Sequence, residues 1–291
     1  GSRMFIDPKM KVPVEDLIKG MIVQSGNDAT MALAEGVGGT AERFVQMMNE
    51  QAKVLGMNST SYKNPEGLTE AGHTTTTRDL ATLSMRLLHD FPEYVGTYAI
   101  KKYRYPGTPA ANDSNRNLLL FKDPTVDGLK TGHTNAAGYC LVATAKRDFP
   151  NVGSRRLMAI VIGTSSEIAR ANEAQKLLNW GYTAFEAVKL FDAGQAVATP
   201  AIWKGKASTV KLGRADALVV AVPTGAAAQI KTQLARPDPL VAPVTKGQTI
   251  GSLKVYRGEQ LWVDMPLQAL DAVEQAGVLG RAWDALRLWI K

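Results

Sequence analysis

The sequence predicts an α/β (α+β) domain, then a small all-β domain, then one closing amphipathic helix. Three observations lead there. Apolar residues recur at helical spacing over 12–55. Three strand candidates in succession, 126–133, 137–147 and 156–164, follow a polar loop at 110–117. Residues 195–268 then hold five short alternating segments punctuated by Gly and Pro, the signature of a small β-domain.

Residues 12–36 place Leu17, Ile18, Met21 and Ile22 on one helical face. Ser25-Gly26-Asn27-Asp28 interrupts that helix, because all four types favour turns over helix interiors. Ala29–Ala34 resumes it, and Gly36-Val37-Gly38-Gly39 stops it. Thr40 is the expected N-cap of a helix over 41–55, with Gly56 at C′. Residues 57–76 read as an irregular loop. Thr77 or a neighbour caps a helix from Arg78 to Leu88, and 97–105 alternates like a strand. The apolar run Leu157–Ile162 predicts a central, buried strand, and a helix follows over 167–187. The short β segments are 208–213, 217–222, 228–234, 252–256 and 260–264. The expected domains are 1–190, 191–269 and a helix at 270–291, with the boundary at Phe191-Asp192-Ala193-Gly194.

Over 279–291 most of the apolar residues Leu279, Ala282, Trp283, Leu286, Leu288, Trp289 and Ile290 follow an i, i+3, i+4, i+7 pattern, and Arg281, Asp284, Arg287 and Lys291 occupy the opposite side. Two readings stand: a helix in a membrane interface, or one packed on the β-domain.

Composition excludes several classes. No apolar run reaches the roughly 20 residues of a transmembrane helix. Gly 26 and Pro 14 without a period exclude collagen-like and low-complexity chains. The net charge of +7 favours anionic partners, but it is dispersed and no nucleic-acid signature accompanies it, so nucleic acid is not an expected partner. One cysteine, Cys140, forbids an intrachain disulfide, and its apolar surroundings predict a core position. His73, His89 and His133 lack metal-ligand spacing, and no phosphate loop is present, so neither a metal nor a cofactor is expected. The start, Gly-Ser-Arg-Met, has no signal-peptide pattern, so any export signal is expected outside this sequence.

Two motifs can support chemistry. Ser25-Gly26-Asn27 sits at a break between helices, and Lys130-Thr131-Gly132 in a strand candidate. Their order and element types suit serine acyl-transfer enzymes of the penicillin-recognising type. Lys130 supplies a cation for a substrate carboxylate, and Thr131 a hydroxyl donor. Gly132 has no Cβ, so a substrate backbone can pair along the strand edge. The Ser25 hydroxyl can pass a proton, and Asn27 can donate to an amide carbonyl. The plainer alternative makes these motifs a helix terminator and a strand end.

The sequence resembles the low-molecular-mass, type-five penicillin-binding proteins, which are serine D-alanyl-D-alanine carboxypeptidases. Gly20–Ala29 looks like their second motif, Asn64–Leu68 and Thr77–Ala81 like their active-site loop and the next helix. Val126–Thr134 with Ala137-Gly138-Tyr139 is the most specific match. The resemblance implies a transpeptidase-like domain with an antiparallel sheet flanked by helices, a pedestal-like β-domain and a membrane-associated helix. It implies removal of the terminal D-Ala from peptidoglycan stem peptides through a serine acyl-enzyme, with β-lactams as inhibitors. Ser25 relays the proton, Asn27 holds the substrate amide, and Lys130 and Thr131 bind the terminal carboxylate. The backbone N–H of His133 forms half of an oxyanion hole, and Arg116 lies near the site. The implied location is the bacterial periplasm, at an anionic membrane surface.

The family's Ser-x-x-Lys nucleophile motif does not precede Ser25. Its one occurrence, Ser208-Thr209-Val210-Lys211, is on a β-domain strand, where Ser and Lys point to opposite faces. The sequence therefore looks like a member without the N-terminal part that holds the nucleophile, and the chain alone is expected to be inactive. The alternatives are a serine β-lactamase and a non-catalytic envelope binding protein. Some members of the family place an arginine in the loop after the buried strand; here Gly163-Thr164-Ser165-Ser166 occupies that stretch, and Arg170 comes later.

Overall fold

The computed structural model describes residues 1–149 and 152–290. It divides into two compact units. The first comprises 1–148 and 154–182, the second 149–153 and 183–291.

The first unit opens with α1 (Val14–Lys19), a π-helical turn (Gly20–Gln24) and α2 (Asn27–Gly38). α3 (Ala41–Val54) starts where the Thr40 hydroxyl accepts the Arg43 N–H, and Gly56 then adopts φ +76°. α4 (Thr77–Asp90) is capped by Thr76, whose hydroxyl accepts the Asp79 N–H. The strand expected at 97–105 is absent. Val95–Tyr98 is a short helix, α5, and among the described residues the segment after it forms only an isolated antiparallel bridge, Lys102 with Ser114. Its backbone there bonds a loop: Tyr103 N–H to the Asp113 carbonyl at 2.9 Å, and Asn115 N–H to the Lys101 carbonyl at 2.8 Å.

After α6 (Leu119–Lys122) come β1 (Val126–Thr134), β2 (Gly138–Phe149) and β3 (Gly153–Thr164), in the order β1-β2-β3. β1 and β2 are antiparallel, with Thr131 opposite Leu141 and Gly132 opposite Cys140. β3 is an edge of this sheet among the described residues, not a central strand, and Ile162 is 47 % exposed. An apolar run records hydrophobicity, not how many neighbours a strand has. Cys140 is half-buried rather than in the core. α7 (Glu167–Ala184) buries Ala171, Ala174 and Leu178, and the sheet buries Ala143, Ala145 and Ala159. Small residues let helix and sheet approach closely. Tyr182 Oη closes the contact by donating to the carbonyls of Ala145 (2.7 Å) and Arg155 (3.1 Å).

The helix expected to reach residue 187 stops at Ala184. Phe185–Phe191 is strand β4, which pairs antiparallel with β8 (Leu218–Pro223) of the second unit. The division between units therefore lies at 182/183, not at 191–194, because β4 finds its hydrogen-bond partner in the later sequence. Between them run β5 (Ala196–Ala198), β6 (Ile202–Trp203) and β7 (Leu212–Gly213). β9 (Ile230–Ala235), β10 (Leu240–Val241), β11 (Thr249–Arg257) and β12 (Gln260–Ala269) follow. A five-stranded sheet runs β5-β7-β12-β11-β9, and β6 and β10 form a parallel pair. Leu212, Leu218, Leu253 and Leu267 centre its core. Ser208 and Lys211 are both exposed here, outside the first unit.

α8 (Val278–Ile290) ends the described chain, and Lys291 lies outside the described residues. The Asp284 carboxylate accepts the Lys204 N–H at 2.6 Å, and Arg287 lies over the Trp203 ring at 5.5 Å. Leu279, Trp283, Trp289 and Ile290 remain exposed. The helix thus uses polar groups to dock on the second unit and leaves its apolar side open.

Candidate active site

The π turn and α2 build the first wall. Ser25 ends the π turn in the left-handed conformation (φ 57°, ψ 42°), with its N–H bonded to the Gly20 carbonyl. For a non-glycine residue this costs on the order of 1–2 kcal/mol, a strain common where a side chain must be held at a site. Asn27 begins α2 one residue after Gly26.

The segment before α1 is tied to the same place. The Asp28 carboxylate accepts the backbone N–H groups of Met4, Phe5 and Ile6 at 2.8, 2.7 and 3.2 Å. Met4, fully buried, packs with Leu17, Ala29 and Tyr105. A Cβ on Gly20 would come within 2.1 Å of the Met4 sulfur, so any side chain at position 20 would force Met4 to move. Gln24, also fully buried, donates to the Tyr103 carbonyl at 2.5 Å and fixes the turn from behind.

β1 forms the facing wall. Its pairing leaves one edge without a strand among the described residues. Lys130 reaches across and donates to the Ser25 hydroxyl at 2.9 Å and to the Thr131 carbonyl at 2.9 Å. Burial lowers the Lys130 pKa to about 8, helped by repulsion from Arg170 and Arg116. A cation held this way gains from any anion that enters.

A Cβ on Gly132 would meet nothing closer than the Cys140 Cβ at 3.9 Å. The fold therefore tolerates a side chain there, and the glycine keeps the strand edge clear. His133 is exposed and stacks on Tyr139, with ring centroids 3.9 Å apart.

The arginines divide their tasks. Arg170 is 3 % exposed, and its guanidinium donates to the carbonyls of Gly132 (3.2 Å) and Arg116 (3.1 Å). It lies over Tyr139 and has Glu167 at 3.4 Å, so it braces β1 and the loop before it. Arg116 bonds the Asn112 side chain, and its buried Nε has no partner among the described residues.

Ser25, Asn27, Arg116, Lys130, Thr131, Gly132 and His133 all line one cavity of about 1130 Å³. That exceeds the usual small-molecule pocket and suits an extended peptide. The structure thus unites every site residue expected from the sequence. The sequence did not reveal that Asp28 anchors residues 4–6, nor that Arg170 and Tyr139 buttress β1. The partners of Asp28 lie 22–24 residues upstream, and those of Arg170 38 and 54 residues away. No local pattern reports such contacts. No group of His, Cys, Asp and Glu among the described residues could hold a metal ion.

Comparison with known proteins agrees with this architecture. Residues 1–166 match the family described as D-alanyl-D-alanine carboxypeptidase, and 185–275 match the penicillin-binding protein 5 C-terminal domain. The chain is 39 % identical over 285 residues to the D-alanyl-D-alanine carboxypeptidase DacC of Escherichia coli, covering 97 % of this chain and 69 % of that protein. It is 36 % identical over 292 residues to DacA of Haemophilus influenzae, covering 100 % and 72 %. It also superposes on the crystal structure of penicillin binding protein 5 from Haemophilus influenzae with a TM-score of 0.80 and 34 % identity, over 94 % of this chain and 78 % of that one. With a transpeptidase-like unit, an all-β second unit and these matches, the chain belongs to the D-alanyl-D-alanine carboxypeptidase family of low-molecular-mass penicillin-binding proteins.

Proposed function

We propose that this chain supplies the substrate-holding half of a serine-type site that removes the terminal D-Ala of peptidoglycan stem peptides. The observation that carries the reading is the 2.9 Å bond from Lys130 to Ser25, two residues 105 apart in sequence that meet in the cavity. The terminal carboxylate of the substrate sits against Lys130, Thr131 and Arg116. The peptide lies along the free edge of β1 beside Gly132, and Asn27 donates to its amide carbonyl. A serine oxygen attacks the carbonyl of the D-Ala-D-Ala bond, and the backbone N–H of His133 stabilises the developing oxyanion. The C–N bond breaks, and the departing D-Ala amine takes its proton through Ser25. Water then hydrolyses the acyl-enzyme. β-Lactams present a similar carboxylate and carbonyl and enter the same cavity.

Ser25 serves here as the relay and not as the acylated group, and Ser208-Thr209-Val210-Lys211 lies in the second unit. Residues 1–291 by themselves are therefore expected to bind a D-Ala-D-Ala peptide without cleaving it. Intact-mass measurement after incubation with a penicillin, beside calorimetric titration with the peptide, tests this. Peptide binding with no mass increment is the expected result. An increment equal to one β-lactam would place a nucleophile within these residues. Absence of peptide binding would remove the site reading altogether.

The location we propose is the outer face of the bacterial cytoplasmic membrane. No described helix is long and apolar enough to cross a membrane, but the open apolar side of α8 suits an interface. Anionic vesicles are expected to sediment the chain, and a Trp283→Ser/Trp289→Ser variant to stay in solution. Equal sedimentation of the two would sink the membrane role of α8.

A further inference from the structure

One wall of the cavity presents an acidic side chain that the mechanism does not use. Glu66 lines the cavity, is half-buried, and makes no hydrogen bond or ion pair among the described residues. Its loop is held in a defined shape. The Asn64 side-chain oxygen Oδ1 accepts the N–H groups of Gly67 and Leu68, both at 2.9 Å. The Asn64 amide donates to the Leu68 carbonyl at 3.1 Å and to the Glu70 carboxylate at 3.0 Å. Ser61 and Thr74 form a β-bridge that closes the loop base. Glu70 thus has a partner, and Glu66 is left free beside the cavity.

No cation lies within ion-pairing distance of Glu66 among the described residues, although Arg3 lines the same cavity. His73, on the same wall, accepts the Lys63 N–H through Nδ1. Burial lowers its pKa, so the imidazole is neutral at neutral pH. The cavity lining carries the cations Arg3, Arg116, Lys130 and Arg170 and two acids, of which Glu167 pairs with Arg170 and Glu66 pairs with none among the described residues. A ligand that satisfies both Lys130 and Glu66 has a carboxylate at one end and a cation further along.

We infer that Glu66 makes this site selective for stem peptides whose side chain upstream of the terminal D-alanines ends in a free primary amine. This rests on the substrate reading above. An ion pair at a half-exposed carboxylate favours the charged peptide by about fivefold to tenfold.

Two synthetic peptides test it, Nα-acetyl-Lys-D-Ala-D-Ala with its ε-amine free and the same peptide with that amine acetylated, each titrated calorimetrically into the chain. The free-amine peptide is expected to bind about fivefold to tenfold more tightly at low salt, and the preference to shrink as salt rises. Glu66→Gln is expected to bring its affinity down to that of the acetylated peptide. Equal affinities for the unaltered chain overturn the inference, as does a preference that survives Glu66→Gln. If neither peptide binds, or if Lys130→Met leaves both affinities unchanged, the carboxylate-binding reading of the cavity fails and this inference falls with it.

Discussion

Lys130→Met is expected to weaken peptide binding about ten- to hundredfold while leaving the protein at least as stable at pH 7. The lysine sits where burial and two arginines oppose its charge. Its proton is held at about pH 8 in the folded chain, against the ordinary lysine value of 10.5. Between those values the unfolded chain binds more protons than the folded one, so stability rises with pH from about 8 to 10.5. Below that window the folded state bears the full cost of the charge. Water in the cavity screens part of it, and we expect about 1–2 kcal/mol. Methionine removes the charge and with it this pH dependence. Binding changes in the other direction. A charge-assisted bond to a carboxylate contributes about 1.5–3 kcal/mol, or roughly ten- to hundredfold in affinity. The same loss should appear in the unaltered chain as pH rises through about 8 and Lys130 gives up its proton. Denaturant unfolding and peptide titration at pH 7 and 9.5, on both proteins, check the two signs together. A variant that is less stable at pH 7 and binds peptide as tightly as the unaltered chain would contradict the account.

Asp28→Ala should be among the most damaging single changes in the first unit. It deletes one carboxylate that accepts three backbone N–H groups from a segment more than twenty residues upstream. Met4 is fully buried under that segment, so losing the tether also loosens a core contact. Together these cost about 3–4 kcal/mol, within the range of broken buried networks. Asp28→Asn keeps one acceptor oxygen and should lose about half as much. The amides of Met4, Phe5 and Ile6 are expected to exchange with solvent far faster in Asp28→Ala than in the unaltered chain. Protection that is unchanged at those three amides would rule out the tether.

These two residues mark the limit of what the sequence alone discloses. Lys130 was legible because Lys-Thr-Gly in a strand candidate names its own chemistry. Asp28 was read only as a turn-former beside Ser25-Gly26-Asn27, since nothing at positions 4–6 announces a need for an acceptor. The same division holds for the elements. The caps at Thr40 and Thr76, the strands β1 to β3 and the terminal helix follow from local pattern, because capping and periodicity act over a few residues. The segment 97–105 alternates like a strand, but among the described residues it makes only the single bridge of Lys102 with Ser114, and a ladder requires a second strand. Residues 185–187 continue a helical pattern, yet β8 captures them as strand.

The sequence by itself determined the element types in most of the chain, the two acyl-transfer motifs and their family. Tertiary structure alone decided which residues meet. It brought Lys130 onto Ser25, turned Arg170 inward to brace β1 and, among the described residues, made β3 an edge and left Glu66 unpaired in the cavity wall. The physical reason is range. Propensity, capping and periodicity are properties of neighbours along the chain, whereas ion pairs, desolvation and strand partnership belong to groups that only the folded backbone makes neighbours.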